Sequence, residues 1–232
     1  MADTLLLKLL FVHFTADYLL QFGFLAEGKE RHGLRSWHIW VHIALHGILV
    51  HLVLQTWWIT LVTLTTHAVI DVGKVKLSGS GLNRFWFFLD QALHLSVVGV
   101  IWWIGRSDAF PGLPEWFEAN LALITGLVVL SKPSKYMIGV YLTGWVAPSM
   151  PKATPFCDKG PVIGMAERMG TLLLVTWTGW WIPAVYAAGK IIFSVAGPFK
   201  VEDPDRRRYA LVGSLISLSL AWMVALLVVF QS

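Results

Sequence analysis

The chain has 232 residues, 56% hydrophobic and 14% charged, and a net charge of +4. A soluble domain averages roughly 45–50% apolar and about 25% charged residues, and its surface needs polar cover, so a soluble enzyme and a disordered chain are both excluded. The basic residues fall in short clusters between apolar runs, a pattern of membrane topology rather than of nucleic-acid binding, and the single cysteine, Cys157, excludes an intrachain disulfide scaffold and any cysteine-based metal site.

A bilayer core about 30 Å thick takes about 20 apolar residues per helix. On that measure the sequence predicts an all-α fold, a polytopic integral membrane helical bundle of about seven or eight transmembrane helices. The spans fall at 3–25, 37–55, 56–73, 85–104, 116–131, 134–149, 166–188 and 209–230. The stretch Met1 to Leu10 has neither a basic leader region nor a small-residue cleavage site, and reads as the start of the first span. The second and third spans meet near Gln55, Trp57 and Trp58 and should form a hairpin. Segments 105–115 and 150–163, rich in Gly, Pro and charge, predict loops. The chain then divides into a four-helix membrane module at 1–104 and C-terminal membrane helices at 105–232. Trp57, Trp58, Trp102, Trp103, Trp180 and Trp181 fall near span ends and are expected to be interfacial anchors.

The basic clusters set the expected orientation. Lys29, Arg31 and Arg35 follow span one, and Lys74, Lys76 and Arg84 follow span three. Lys132 and Lys135 follow span five, and Lys190, Lys200 and Arg206 to Arg208 follow span seven. The opposite loops hold only Arg106, Lys152 and Lys159. If 134–149 crosses, the positive-inside rule puts the rich loops in the cytoplasm and both termini outside. Glu167 beside Arg168 reads as an interfacial ion pair.

Inside the first four spans lies an unusual polar set. His13 and Asp17 stand in the first, His42 and His46 in the second, His67 and Asp71 in the third, and Asp90 and His94 in the fourth. Each pair is spaced i, i+4, which puts both side chains on one helix face. At about 1.5 Å per residue the four pairs overlap in one half of the bilayer. A carboxylate in mid-membrane costs a few kcal/mol by insertion scales, so these groups must face each other, water or a cation. Imidazole and carboxylate suit zinc, manganese or iron, and four-helix bundles build metal sites from acid and His pairs at one-turn spacing. The expected cofactor is therefore a divalent metal ion, zinc first, held by His13, Asp17, His42, His46, His67, Asp71, Asp90 and His94. The number of ligands suits one metal with supporting acids, or two. His38 and His51, near the span ends, and His32, in a basic loop, are expected to meet headgroups or solvent. Lys74 reads as a snorkelling interface lysine.

The blocks HFTADYLLQ (13–21), HIALHG (42–47), HAVIDVGK (67–74) and FFLDQALHL (87–95) resemble a family of bacterial integral-membrane proteins known only as domain-of-unknown-function family 3307. The blocks at 132–138, 160–174, 187–194 and 207–221 are similar to its longer members, and Tyr18 stands where Phe is common. The resemblance implies a multi-pass protein of the bacterial inner (cytoplasmic) membrane, and names no reaction. A weaker likeness is to membrane-bound metal-dependent hydrolases that also carry His and Asp on short-spaced helices.

These observations favour an intramembrane metal-dependent hydrolase acting on a lipid or other amphiphile, with Asp71 and Asp90 as the catalytic carboxylates. The alternatives are a cation or proton transporter or channel, a non-enzymatic membrane subunit, and a haem protein using His38 and His51. Membrane lipid is the expected partner, and nucleic acid is not.

Overall fold

The computed structural model describes residues 4–21, 36–77, 84–108, 110–142, 159–196 and 204–231. Among them every regular element is a helix and no strand occurs. Cys157, His32, the clusters Lys29, Arg31 and Arg35, and Lys152 and Lys200 lie outside the described residues, as do the side chains of Lys159, Arg206 and Arg207. The helices are α1 (Thr4–Phe14), α2 (Trp37–Leu54), α3 (Trp57–Leu77), α4 (Arg84–Gly105), α5 (Glu115–Ala119), α6 (Leu121–Leu130), α7 (Lys132–Tyr141), α8 (Lys159–Thr178), α9 (Trp181–Ala196) and α10 (Pro204–Val229). They divide into two compact units, residues 1–121 and 122–232.

Four runs among the described residues are long and apolar enough to cross a membrane: Trp37–Leu54, Arg84–Gly105, Leu121–Tyr141 and Arg208–Val229. They point to a membrane protein, with fewer candidate spans than the seven or eight expected. Two corrections account for part of the difference. The predicted spans 116–131 and 134–149 meet in one candidate run: α6 and α7 together give 21 residues from Leu121 to Tyr141, and residues 143–149 lie outside the described residues. Lys132 and Lys135 therefore lie within α7 rather than in a loop. Pro133, which lacks an N–H, breaks the run locally at Ser131 (φ −78°, ψ −124°). The predicted span 166–188 is divided instead, because Gly179 takes a left-handed conformation (φ +79°) and its N–H closes α8 on the Val175 carbonyl at 3.1 Å. Glycine accepts that backbone region without strain. α3 is long enough, at 21 residues, but its Thr, His, Asp and Lys content lowers its apolarity.

In the first unit α1, α2, α3 and α4 form an up-and-down bundle. The α2–α3 hairpin turns as expected at Gln55, which is left-handed (φ 49°), with the Thr56 hydroxyl donating to the Leu54 carbonyl at 2.8 Å. The two helices pass closely at Gly47, where any Cβ would meet Leu64 carbons at 2.6–2.8 Å. One half of the bundle is apolar: Leu5, Leu9 and Val12 of α1 meet Val50, Val53 and Leu54 of α2, Ile59 of α3 and Val98 and Ile101 of α4. Trp58 and Trp102, expected at the bilayer edge, are half-buried against this core, whereas Trp57, Trp103, Trp180 and Trp181 are exposed. The other half holds the polar pairs. Antiparallel packing brings the C-terminal parts of α1 and α3 level with the N-terminal parts of α2 and α4.

The apolar end is closed by the 105–121 segment. Lys8, 3% exposed on α1, donates to Glu118 Oε1 at 2.6 Å, and the Leu113 N–H donates to the same oxygen at 3.0 Å. Phe11 meets Phe117 edge-to-face with ring centroids 5.4 Å apart. The hydrogen bonds from Lys8 and from the Leu113 N–H hold the Glu118 carboxyl below its ordinary value, against a smaller effect of burial. A carboxylate whose folded pKa is depressed contributes stability above its unfolded pKa and loses it as pH falls through the folded value. Thermal unfolding of Glu118→Gln should therefore fall less steeply than that of the native chain on acidification below about pH 4.5. Parallel profiles over that window would show that the Lys8 contact contributes nothing.

Candidate metal centre

The first side chain is placed by an irregularity the sequence gives no sign of. After Phe14 the helix widens into a π turn, Thr15–Leu19, which carries Asp17. Such turns insert one extra residue into a helix and are frequent at functional sites. Here the turn presents Asp17, 9% exposed, to the bundle interior. α2 begins at Ser36, whose hydroxyl accepts from the His38 N–H at 3.2 Å, and its inner face bears His42 and His46. α3 supplies His67 and Asp71, and α4 supplies Asp90 and His94. His42, His46, His67 and Asp71 are each at most 2% exposed.

Asp17 stands at the centre. Its Oδ1 lies 2.8 Å from His46 Nε2, 3.3 Å from His42 Nε2 and 3.8 Å from His67 Nε2. The His42 and His67 Nε2 atoms are 3.1 Å apart. Asp17, His42, His46 and His67 thus offer four ligand atoms all within 4.8 Å of one another. His67, Asp71 and His94 form a second such group, sharing His67. Asp71 Oδ2 is 3.8 Å from His42 Nε2 and 3.9 Å from His67 Nε2.

The donor atoms fit a cation. Four ligands about 2.0–2.2 Å from a tetrahedral zinc stand about 3.3 Å apart, and four of the six separations here run from 2.8 to 3.8 Å, with all within 4.8 Å. Two neutral imidazoles meet Nε2 to Nε2 at hydrogen-bond distance only if one carries the proton there, whereas a shared cation draws on both lone pairs. His94 gives an independent sign. Its Nδ1–H donates to the Asp90 carbonyl at 2.9 Å, which leaves the lone pair on Nε2, and that buried atom makes no hydrogen bond. A backbone carbonyl fixing one ring nitrogen so that the other is free is the usual support of a metal-ligating histidine.

The remaining two expected ligands stand beside these groups rather than in them. His13 Nε2, also buried without a hydrogen bond, is 3.7 Å from Asp17 Oδ2, and its ring stacks on His94 with centroids 5.6 Å apart. Asp90 is held by Lys74, whose Nζ donates to Oδ2 at 2.8 Å. Lys74 therefore turns inward and does not snorkel. Gln91 links the two carboxylates: its Nε2 is 3.3 Å from Asp90 Oδ2 and 3.4 Å from Asp17 Oδ2. A polar line thus runs from the part-exposed Lys74 through Asp90 and Gln91 to Asp17. On the side toward the apolar core, His13, His46, His67, His94, Thr63 and Thr66 border a cavity of about 30 Å³, large enough for a water.

Sequence reasoning identified the eight acid and imidazole side chains and missed the links among them. Lys74 and Asp90 are sixteen residues apart on different helices, so no spacing rule pairs them. His38 and His51 lie toward opposite ends of one helix, thirteen residues or about 20 Å apart, which rules them out as a haem pair in the bundle.

No curated protein and no solved structure matches the chain. A family model described as "Protein of unknown function (DUF3307)" matches residues 5–122, which takes in α1 to α5 and every residue of the His/Asp cluster. The chain belongs to that family.

Proposed function

We propose that the four-helix unit is an intramembrane divalent-metal centre, zinc by its donor set, that hydrolyses a lipid or other amphiphile. The observation that supports it best is the meeting of Asp17, His42, His46 and His67 from three helices within 4.8 Å, buried in an apolar bundle. Those four residues would hold one ion, and His67, Asp71 and His94 are placed to hold or support a second. Such an ion supplies Lewis acidity and lowers the pKa of a bound water towards about 7. In this reading Asp71 is the carboxylate that takes the proton. The Asp90 carboxylate, neutralised by Lys74, acts through Gln91, while its main-chain carbonyl fixes the His94 tautomer. His13, whose Nε2 makes no hydrogen bond, borders the cavity and is placed to orient a water there. The apolar wall of Leu9, Val12, Val50 and Ile101 excludes bulk water from this cavity.

The line Lys74–Asp90–Gln91–Asp17 favours a second reading, transport of a cation or proton, since intramembrane acid and amide chains serve as relays. Retention of metal separates the two. Purified native protein in lipid nanodiscs, dialysed against metal-free buffer, should keep about one or two equivalents of metal. It should also cleave a component of a mixed bacterial lipid extract, as seen by mass spectrometry. Asp71→Asn should keep the Asp17-centred ion and lose turnover. Free exchange of the metal with buffer, together with unchanged lipids, would support transport and sink hydrolysis.

A further inference from the structure

The C-terminal unit contains a buried cation that the metal centre does not use. Arg168, in the middle of α8, is 3% exposed. It was expected to pair with Glu167 at an interface, yet Glu167 bonds to Tyr186 Oη at 2.7 Å and to Lys190 Nζ. Arg168 points the other way. Its Nε donates to the Leu130 carbonyl at 3.2 Å and its Nη1 to Ser217 Oγ at 2.9 Å, while Nη2 is buried and makes no hydrogen bond. Both acceptors are neutral, and no carboxylate among the described residues forms an ion pair with it. A guanidinium remains charged in any protein environment; Glu167, bonded to Tyr186 and Lys190, offsets that charge through space without a direct ion pair, and a buried charge so weakly compensated is destabilising.

The surroundings of Nη2 are suited to an anion. Leu130 is the last residue of α6, directly before the Ser131 break, and α7 starts there without a side-chain cap. The nearby Ser134 hydroxyl is occupied by the Leu130 carbonyl at 2.8 Å. The positive end of the α7 dipole therefore lies at the same break as the Leu130 carbonyl that the guanidinium holds. The guanidinium packs closely on Gly164, where a Cβ would stand 3.3 Å from Nη1 and 4.0 Å from Ser217 Oγ. The Ser217 hydroxyl accepts from Nη1 and keeps its own proton to donate.

We propose that this is a binding site for the carboxylate of a small organic anion. A carboxylate presents two oxygens in a plane, which the Nη1–Nη2 edge of a guanidinium matches bidentately. Depth argues against a lipid phosphate. Leu130 lies nine residues into Leu121–Tyr141, and Ser217 nine residues into Arg208–Val229, so the site is about 13 Å from the start of either span. Headgroup phosphates stay at the bilayer edge.

The test is thermal unfolding of the full chain in neutral phosphatidylcholine nanodiscs, followed by Trp fluorescence, with sodium acetate or propionate replacing sodium chloride at constant ionic strength. The expected result is a saturable rise in Tm, about 5 °C at a hundred times Kd, that is absent in Arg168→Gln. Should that variant not fold, Gly164→Val keeps the charge, crowds Nη1 and should abolish the response. An equal response in the variants, no response in the native chain, or a rise produced only by adding phosphatidylglycerol would each overturn the proposal. The last would assign the guanidinium to a headgroup.

Discussion

Asp17→Asn is expected to empty the centre of metal while leaving the bundle folded. The amide keeps an acceptor for His46 but loses the charge that draws a cation, so metal content measured by elemental analysis should fall at least tenfold. Asp17→Ala should do the same and also lower Tm, because His46 and Gln91 then lose their buried acceptor, at about 1–3 kcal/mol for each group left unpaired. His67→Ala should remove both ions, since His67 belongs to both groups of ligand atoms, whereas His94→Ala should affect only the second. Native metal content in Asp17→Asn would mean that the cluster is a hydrogen-bonded packing element.

The second large effect is expected at Lys74. Removing its ammonium in Lys74→Met leaves the Asp90 carboxylate, 6% exposed, with only the Gln91 amide as donor. Breaking a buried pair by removing one partner costs about 3–5 kcal/mol. Lys74 is 28% exposed, so solvent screening should reduce this to about 2–3 kcal/mol. The Lys74→Met, Asp90→Asn double variant should recover most of the loss, because an amide needs no counter-charge. Chemical unfolding of the four proteins in the cycle measures the coupling. A coupling near zero would show that Lys74 reaches the headgroups instead and that no relay runs from it to Asp17.

The helical membrane fold and the membership of the cluster were legible from composition and spacing. Apolar runs can be read one helix at a time, and four i, i+4 pairs at a common depth leave antiparallel helices few other arrangements. The span count was less legible. Apolarity does not distinguish one run interrupted at Ser131 from two separate helices, nor a helix divided at Gly179 from a continuous one. Both depend on how a local backbone conformation is tolerated by its neighbours.

The identities of the acid and imidazole side chains, and the helix faces that carry them, were determined by the sequence, because an α-helix repeats every 3.6 residues whatever surrounds it. Tertiary structure alone decided that Asp17 sits on a π turn at the centre, that Lys74 neutralises Asp90, and that Arg168 turns away from Glu167. Those outcomes depend on distances between residues far apart in the chain. In a medium of low dielectric a few ångströms there decide which charges are paired and which must seek a ligand.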